Sequence, residues 1–221
     1  MQKANTMFHN IRSGWSIPAA LIALSLIPIV TSAMRTIEIG GNPLPTPDNA
    51  RFLLQPFVIY IHAIGGSVYL LLGALQFSAP LRQKFPKYHR RAGRLAVLAG
   101  TMAALSGMWM TETFPAEPAN PSVFYGFRMI FGSLWLVCLA CGLLSALHRN
   151  FKSHRKWMMR AYAIGIGGGT SVLTVGGLYL VTGDISPKSS ALAQTAAWAI
   201  NLMVVEYVLR RQTLSVETSR A

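Results

Sequence analysis

Long apolar stretches, separated by short polar segments, follow one another along the whole chain. Six of them are rich in Leu, Ala, Val, Ile and Gly and hold almost no charge. A helix that crosses the hydrocarbon core of a membrane needs about 20 apolar residues, and only a helix satisfies its own backbone hydrogen bonds there. The pattern predicts an all-α, polytopic membrane helix bundle of one integral membrane domain over residues 1–221. Its six predicted spans, numbered in chain order, lie near 14–34, 56–79, 92–112, 123–147, 158–181 and 189–208.

Composition narrows the class of protein further. Hydrophobic residues make up 52% of the chain and charged residues only 12%, whereas soluble domains carry about 25% charged residues. The net charge of +13 would suit a nucleic-acid-binding protein. The basic residues, however, lie in short segments between the apolar runs, as membrane topology requires. We therefore expect no nucleic-acid partner.

The distribution of Lys and Arg predicts the orientation of the chain. Sixteen of the twenty lie in the N-terminal segment, in segments 80–94 and 148–160, and in the C-terminal tail, which six crossings place on one side. An excess of these residues marks the cytoplasmic side, so both termini are predicted to be cytoplasmic. Lys3, Arg12 and the small residues near position 32 give the first span some likeness to a signal peptide. Its apolar stretch exceeds the usual 7–15 residues, so we expect a retained helix.

The segment from 35 to 55 is the only long connection between predicted spans. It carries two adjacent glycines and three prolines, so it cannot form one continuous helix. It is either a spacer over the outer face or a lid over an outward cavity.

Two parts of the chain resemble each other. Residues 66–70 (GSVYL) match residues 132–136 (GSLWL) at an offset of 66, and the His-Arg pairs at 89 and 154 match at an offset of 65. The match predicts that spans 2–3 and 4–5 are copies of one helical hairpin, in parallel orientation. Such repeats occur in membrane transporters and would equally suit a duplicated redox core.

Small residues predict close helix packing in two spans. Ala96, Gly100 and Ala104 recur every four residues on span 3, and four glycines fall within residues 165–169 of span 5. This spacing lets helix backbones approach each other, although the glycines would also leave room for a flat ligand. Cys138 and Cys141 are expected to be small packed residues rather than a disulfide framework.

His62 is the most informative single residue. It lies six residues inside span 2, about 9 Å below the outer end of the helix, and ionisable residues at such depth usually have a function. Gly65 and Gly66 follow one turn later and would leave space beside the ring. The imidazole is either neutral and hydrogen-bonded to a neighbouring helix, or it is an axial ligand or a proton carrier.

The apolar spans offer candidate partners for a haem at His62. Met108 and Met129 are predicted to lie at a similar depth, and a His/Met pair can ligate haem iron. Arg128 would then hold an anionic group, such as a propionate or a substrate carboxylate. The candidate cofactor-binding residues are therefore His62, Met108, Met129 and Arg128. The cofactor stays open, with haem b as one candidate, and the alternative is that the methionines only pack within the bundle.

The cytoplasmic side carries a second candidate site in the two His-Arg motifs. The predicted anion-binding or headgroup-binding residues are His89, Arg90, Arg94, His154, Arg155 and Arg160. They would bind anionic lipid headgroups, while helix N-termini nearby would suit an anion or a quinone carbonyl. Their positive charge opposes a metal site. Glu206, near the inner end of span 6, is expected to pair with one of these arginines.

These motifs also carry a family resemblance. The chain has HR-x-x-GR at 89–94 and HR-x-WM-x-R at 154–160, and it resembles an uncharacterised family of bacterial multi-pass membrane proteins, known only as a predicted membrane protein with a domain of unknown function. The resemblance covers about residues 55–180. It departs from the family at Ala74, where we expect proline, and at Ala161, where we expect serine. It implies a bacterial inner-membrane location and no established activity.

Three function classes follow from the sequence. A haem- or quinone-associated redox protein would use His62 and the His-Arg motifs. A transporter or a protein that handles anionic lipids would use the repeat, the glycines and Arg128. An accessory structural subunit of a membrane complex would need none of them as chemistry. Whether the chain is an enzyme stays open.

Overall fold

The computed structural model describes residues 2–46, 49–114, 122–183 and 186–218. These residues form nine helices and no strand. The helices are α1 (Gln2–Gly40), α2 (Ala50–Leu53), α3 (Pro56–Gln76), α4 (Ala79–Lys84), α5 (Pro86–Thr113), α6 (Ser122–Leu147), α7 (Phe151–Gly165), α8 (Gly167–Thr182) and α9 (Pro187–Thr218). The predicted all-α class is confirmed. The helices divide into two compact units, the first ending at Ser106 and the second beginning at Gly107.

Several helices are long and apolar enough to cross a membrane. Four segments of the described chain meet this condition: Gly14–Gly40, Pro56–Gln76, Phe124–Leu147 and Lys188–Gln212. Helices α7 and α8 make a fifth if they form one span. Predicted spans 1, 2, 4 and 6 fall on these segments. Span 3 falls on α5, which is long enough but begins within the basic segment and carries Lys87, Arg90, Arg91 and Arg94 in its first turns.

The connection between predicted spans 1 and 2 is shorter than the sequence suggests. Helix α1 continues past Arg35 as far as Gly40, and Asn42 follows with a left-handed φ of 51°. Pro47, one of the three prolines of the connection, lies outside the described residues. The chain returns to a helix at Ala50, and Pro56 begins α3. Proline is well suited to the first turn of a helix, where no intrahelical partner exists for its missing N–H.

Predicted span 5 is broken into two helices. Helices α7 and α8 meet at Ile166 and are bent by 47°. The Ile166 N–H donates to the carbonyl of Tyr162, and the Ile166 carbonyl accepts from the N–H of Thr170. Glycine disfavours a helix interior by about 1 kcal/mol relative to alanine, and four glycines surround this point. The sequence predicted only close packing or ligand space from these glycines. In the structure they also permit a break in the helix.

In the first unit, α3 and α5 approach each other closely. A Cβ placed on Gly65 would lie 2.9 Å from the carbonyl oxygen of Ala99 and 3.4 Å from the backbone nitrogen of Ala103. Ala96, Gly100 and Ala104 of the predicted small-residue row are buried. The close packing predicted for this helix is confirmed.

In the second unit, large side chains fill the places left by glycines. Met158 of α7 packs against Gly142 of α6, and the indole of Trp198 on α9 packs against Gly167. The same indole stacks on Phe131 of α6, with ring centroids 4.9 Å apart. This aromatic pair lies beside the start of α8, so it supports the bent segment from one side.

Candidate functional site

The His62 side chain reaches from α3 to α5. Its Nδ1 lies 2.9 Å from the Ala103 carbonyl oxygen and 3.3 Å from Ser106 Oγ. Because a carbonyl can only accept, Nδ1 carries a ring proton and donates it; in the neutral imidazole the lone pair would then be on Nε2. A histidine that ligates a metal is usually held in this way, with its other N–H donated to a carbonyl. The structure thus shows the hydrogen bond to a neighbouring helix that the first of the two alternatives expects; the role of His62 as a ligand or proton carrier stays a prediction.

The space beside His62 is smaller than predicted. The position above Gly65 is filled by the backbone of α5, whereas a Cβ on Gly66 would meet no described atom within 4 Å. Of the two glycines, only Gly66 leaves open space. It lies four residues after His62, on the same helix face.

Ser106 is a residue of this site that sequence reasoning missed. It is buried, and its hydroxyl donates to the carbonyls of Met102 and Ala103 while it lies within reach of His62. Its only signal in the sequence is its spacing of three residues from Ala103, which places both on one face of α5. A serine that bonds back to its own helix is common, so this spacing alone would not have identified it.

The other predicted haem residues lie in the second unit. Arg128 of α6 is exposed, and its guanidinium lies 4.2 Å from the centre of the Phe124 ring. The Met108 side chain packs against Gly132. Met129 is half-buried on α6. Their joint action with His62 stays a prediction.

The first His-Arg motif lies at the start of a helix rather than in a loop. His89, Arg90 and Arg94 belong to the first three turns of α5. Arg90 and Arg94 are exposed, while His89 is half-buried. Two cationic side chains therefore extend from the beginning of this helix.

The second motif is tied more tightly to its surroundings. His154 donates from Nδ1 to the Gly142 carbonyl over 2.9 Å, which joins α7 to α6. Asn150 caps α7 by accepting from the N–H of Ser153. Arg155 is exposed, as Arg90 and Arg94 of the first motif are.

Arg160 forms a two-point ion pair with Glu206 of α9. Its Nε lies 2.5 Å from Oε1 and its Nη2 lies 3.0 Å from Oε2. The guanidinium also lies 5.0 Å from the centre of the Trp157 ring. The predicted pairing of Glu206 with an arginine is confirmed. Arg160 thus has an acidic partner, whereas Arg94, which matches it in sequence at an offset of 66, is exposed and has no acidic partner among the described residues.

The contacts within each hairpin agree with the repeat. In the first hairpin, a Cβ on Gly93 would lie 3.2 Å from the side-chain oxygen of Gln76. An offset of 66 takes Gln76 to Gly142, and the offset of 65 that relates the two His-Arg pairs takes Gly93 to Met158, whereas the next residue, Arg94, matches Arg160 at an offset of 66. Gly142 and Met158 also touch. The larger residue of each pair is Gln76 on α3, the first helix of its hairpin, and Met158 on α7, the second helix of its hairpin. Positions matched by these offsets are therefore in contact in both hairpins, with the large and the small residue exchanged; that the hairpins are copies stays a prediction.

Asn201 of α9 bridges the break between α7 and α8. Its Nδ2 donates to the Ala163 carbonyl, and its Oδ1 accepts from the Thr170 hydroxyl, each over 3.0 Å. The break removes the usual intrahelical donor for such a carbonyl, and Asn201 replaces it. Sequence reasoning missed this role, for which the only signal is an amide side chain inside an apolar run.

Metal ligands are not grouped in the part of the chain that the structure describes. No cluster of three or more His, Cys, Asp or Glu side chains occurs there. Cys138 and Cys141 are free thiols, the first buried and the second half-buried. Among these residues, a cofactor would depend on single ligands such as His62.

Comparison with known proteins gives one match. A family model described as "Predicted membrane protein (DUF2306)" matches residues 59–209. No curated protein and no solved structure matches the chain. The matched residues include His62, both His-Arg motifs and the Arg160–Glu206 pair.

Proposed function

The chain belongs to the DUF2306 family of predicted membrane proteins, and we propose that it is a haem- or quinone-associated redox protein of the bacterial inner membrane. The observation that carries this proposal is the hydrogen bond from His62 Nδ1 to the Ala103 carbonyl. It fixes the ring tautomer and leaves the lone pair on Nε2, the arrangement that an axial ligand needs.

The residues around His62 fit a haem b in two respects. Gly66 leaves open space on the same face of α3, and Ser106 holds the ring from the side of α5. His62 would supply the axial nitrogen, and the haem would supply one-electron transfer. The protein's own part is to hold the imidazole neutral and oriented within an apolar helix pair.

We propose that α5 and the bent α7–α8 pair complete a six-span topology with both termini in the cytoplasm. The sixteen Lys and Arg residues on one predicted side support it. Alkaline phosphatase fused after Pro45 is expected to be active, and fused after Asn150 or at the C-terminus it is expected to be inactive. Green fluorescent protein at the same positions gives the complementary control. An active phosphatase at the C-terminus would contradict six spans.

A reduced-minus-oxidised visible spectrum of the detergent-purified protein tests the haem ligand. We expect a b-type α-band in the wild type and its loss in His62→Ala. His154→Ala is the matched control, because His154 also donates from Nδ1 to a carbonyl across a helix pair, and it should keep the band. A colourless, folded protein from haem-replete cells, or an unchanged band in His62→Ala, would refute this ligand.

A second candidate function is transport or the handling of anionic lipids. The observation that favours it is the break between α7 and α8, because transporters often place substrate sites at discontinuous helices. The exposed Arg90, Arg94 and Arg155 would then attract anionic groups. Substrate-dependent flux in liposomes, from a protein with no visible absorbance, would support transport over the redox function.

A further inference from the structure

A cavity of about 340 Å³ lies at the outer end of the first unit. The end of α1 forms one wall with Ile39 and Gly40, and the start of α3 forms another with Pro56 and Tyr60. The remaining lining residues are Asn42, Pro43 and Leu53. Its volume falls at the lower end of the range of small-molecule sites. The connection therefore borders a partly open cavity instead of only joining two helices.

The connection that forms this cavity is held by specific contacts. Asn49 is only 4% exposed, and its side chain accepts from the N–H of Thr46 and donates to the carboxylate of Glu38. Glu38 also pairs with Arg35 over 2.7 Å. The guanidinium of Arg35 in turn lies 4.4 Å from the centre of the Phe52 ring. These contacts link α1, the connection and α2, so the cavity is formed before a ligand binds.

The chemistry of the lining favours a neutral ligand. None of the described lining residues carries a charge, and apart from Asn42 and Tyr60 their side chains are apolar or absent. The side chains of Asn42 and Tyr60 have no hydrogen-bond partner among the described residues. Both can donate to a ligand oxygen.

The surroundings of the cavity favour a ligand that comes from the lipid. Leu54 and Phe57, next in sequence to the lining residues Leu53 and Pro56, are 62% and 72% exposed. Large exposed apolar side chains at the end of a membrane helix indicate contact with lipid. A lipid-soluble compound with a small ring and hydrogen-bond acceptors would meet both conditions.

We propose that this cavity binds the headgroup of a lipid-soluble quinone. The ring is neutral, and its carbonyl oxygens would accept hydrogen bonds from the Tyr60 hydroxyl and the Asn42 amide. Tyr60 and His62 are two residues apart, about 3 Å along the axis of α3, and point to different faces of that helix. The inference rests on the proposed redox function for the use of the quinone.

Equilibrium binding of decylubiquinone to the full-length protein in lipid nanodiscs tests the proposal. We expect saturable binding of about one molecule per chain. Tyr60→Phe keeps the shape of the cavity and should weaken binding about three- to tenfold, as expected for one lost hydrogen bond. Gly40→Ile should abolish saturable binding, since a Cβ there would point toward the Tyr60 hydroxyl, 3.8 Å away.

Gly177→Ile is the matched control, because it adds the same side chain to α8 where no described atom lies within 4 Å of the new Cβ. It should bind like the wild type. Equal affinities in all four proteins, absence of saturable binding, or full displacement by phosphatidylglycerol would each overturn the proposal. Binding is scored without the visible spectrum. A colourless protein that binds decylubiquinone would therefore support the quinone site and contradict the haem ligand. A protein with a haem band that binds no decylubiquinone would support the haem ligand and contradict the quinone site.

Discussion

Replacing Gly65 by valine is expected to lower the free energy of unfolding by about 3 kcal/mol, the upper end of typical overpacking costs. The new Cβ would lie 2.9 Å from the Ala99 carbonyl oxygen. That oxygen belongs to a helix backbone, so only a displacement of α5 against α3 relieves the clash. The same displacement would move the Ala103 carbonyl away from His62, and we expect any haem band to weaken along with the fold.

The neighbouring glycine provides the control for this substitution. Gly66→Val adds the same side chain one residue later, where no described atom lies within 4 Å of the new Cβ. We expect its free energy of unfolding to stay within about 1 kcal/mol of the wild type, as for substitutions away from packed sites. Unfolding by sodium dodecyl sulfate in mixed micelles, followed by circular dichroism, measures both variants. Equal effects of the two would refute the close approach of α3 and α5.

Removing Glu206 is expected to have an effect of similar size. Glu206→Leu leaves the Arg160 guanidinium, 26% exposed in its side chain, without its carboxylate between α7 and α9. Removal of one partner from a buried ion pair costs about 3–5 kcal/mol, and the partial exposure of this pair reduces our expectation to about 2 kcal/mol. The double variant Arg160→Met/Glu206→Leu should recover most of the loss, because no unpaired charge is left.

The same mixed-micelle titration closes a double-mutant cycle for this pair. We expect a coupling free energy of at least about 1 kcal/mol, typical of residues in direct contact. A cycle between Arg155 and Glu206 is the control, since Arg155 is exposed and has no ion pair with Glu206 in the structure; its two substitutions should be additive. Additive effects of Arg160→Met and Glu206→Leu would show that the ion pair contributes no stability.

Most helices could be predicted from the sequence because a membrane-spanning helix needs an apolar run of sufficient length, and such a run is visible in the local sequence. Helix α5 is longer than predicted span 3 and begins at Pro86, because basic side chains are compatible with a helix in its first turns. The break at Ile166 was not predicted. Four glycines permit either a packed straight helix or a bent one, and the choice depends on Trp198 and Asn201, which are about 30 residues further along the chain.

The candidate site could be predicted in part for a similar reason. His62 and the partner of Glu206 followed from the cost of placing ionisable groups in apolar helices. The Ala103 carbonyl could not be foreseen as the partner of His62, because each helix turn of α5 offers equivalent carbonyls. The contact at Gly65 decides which of them His62 meets. The cavity between the end of α1 and the start of α3 depends on the path of a non-helical connection, which apolar periodicity does not specify.

The exchanged large and small residues of the two hairpins bear on how the chain inserts into a membrane. If α7 paired with α3 during synthesis, Met158 would meet Gln76, and two large side chains would compete for the space of one. If α5 paired with α6, Gly93 would face Gly142 and leave a void. At this contact, each second helix is complementary in side-chain volume to its own first helix and not to that of the other hairpin. If the two hairpins are copies, the exchange of a large and a small residue would therefore disfavour pairing between them during synthesis.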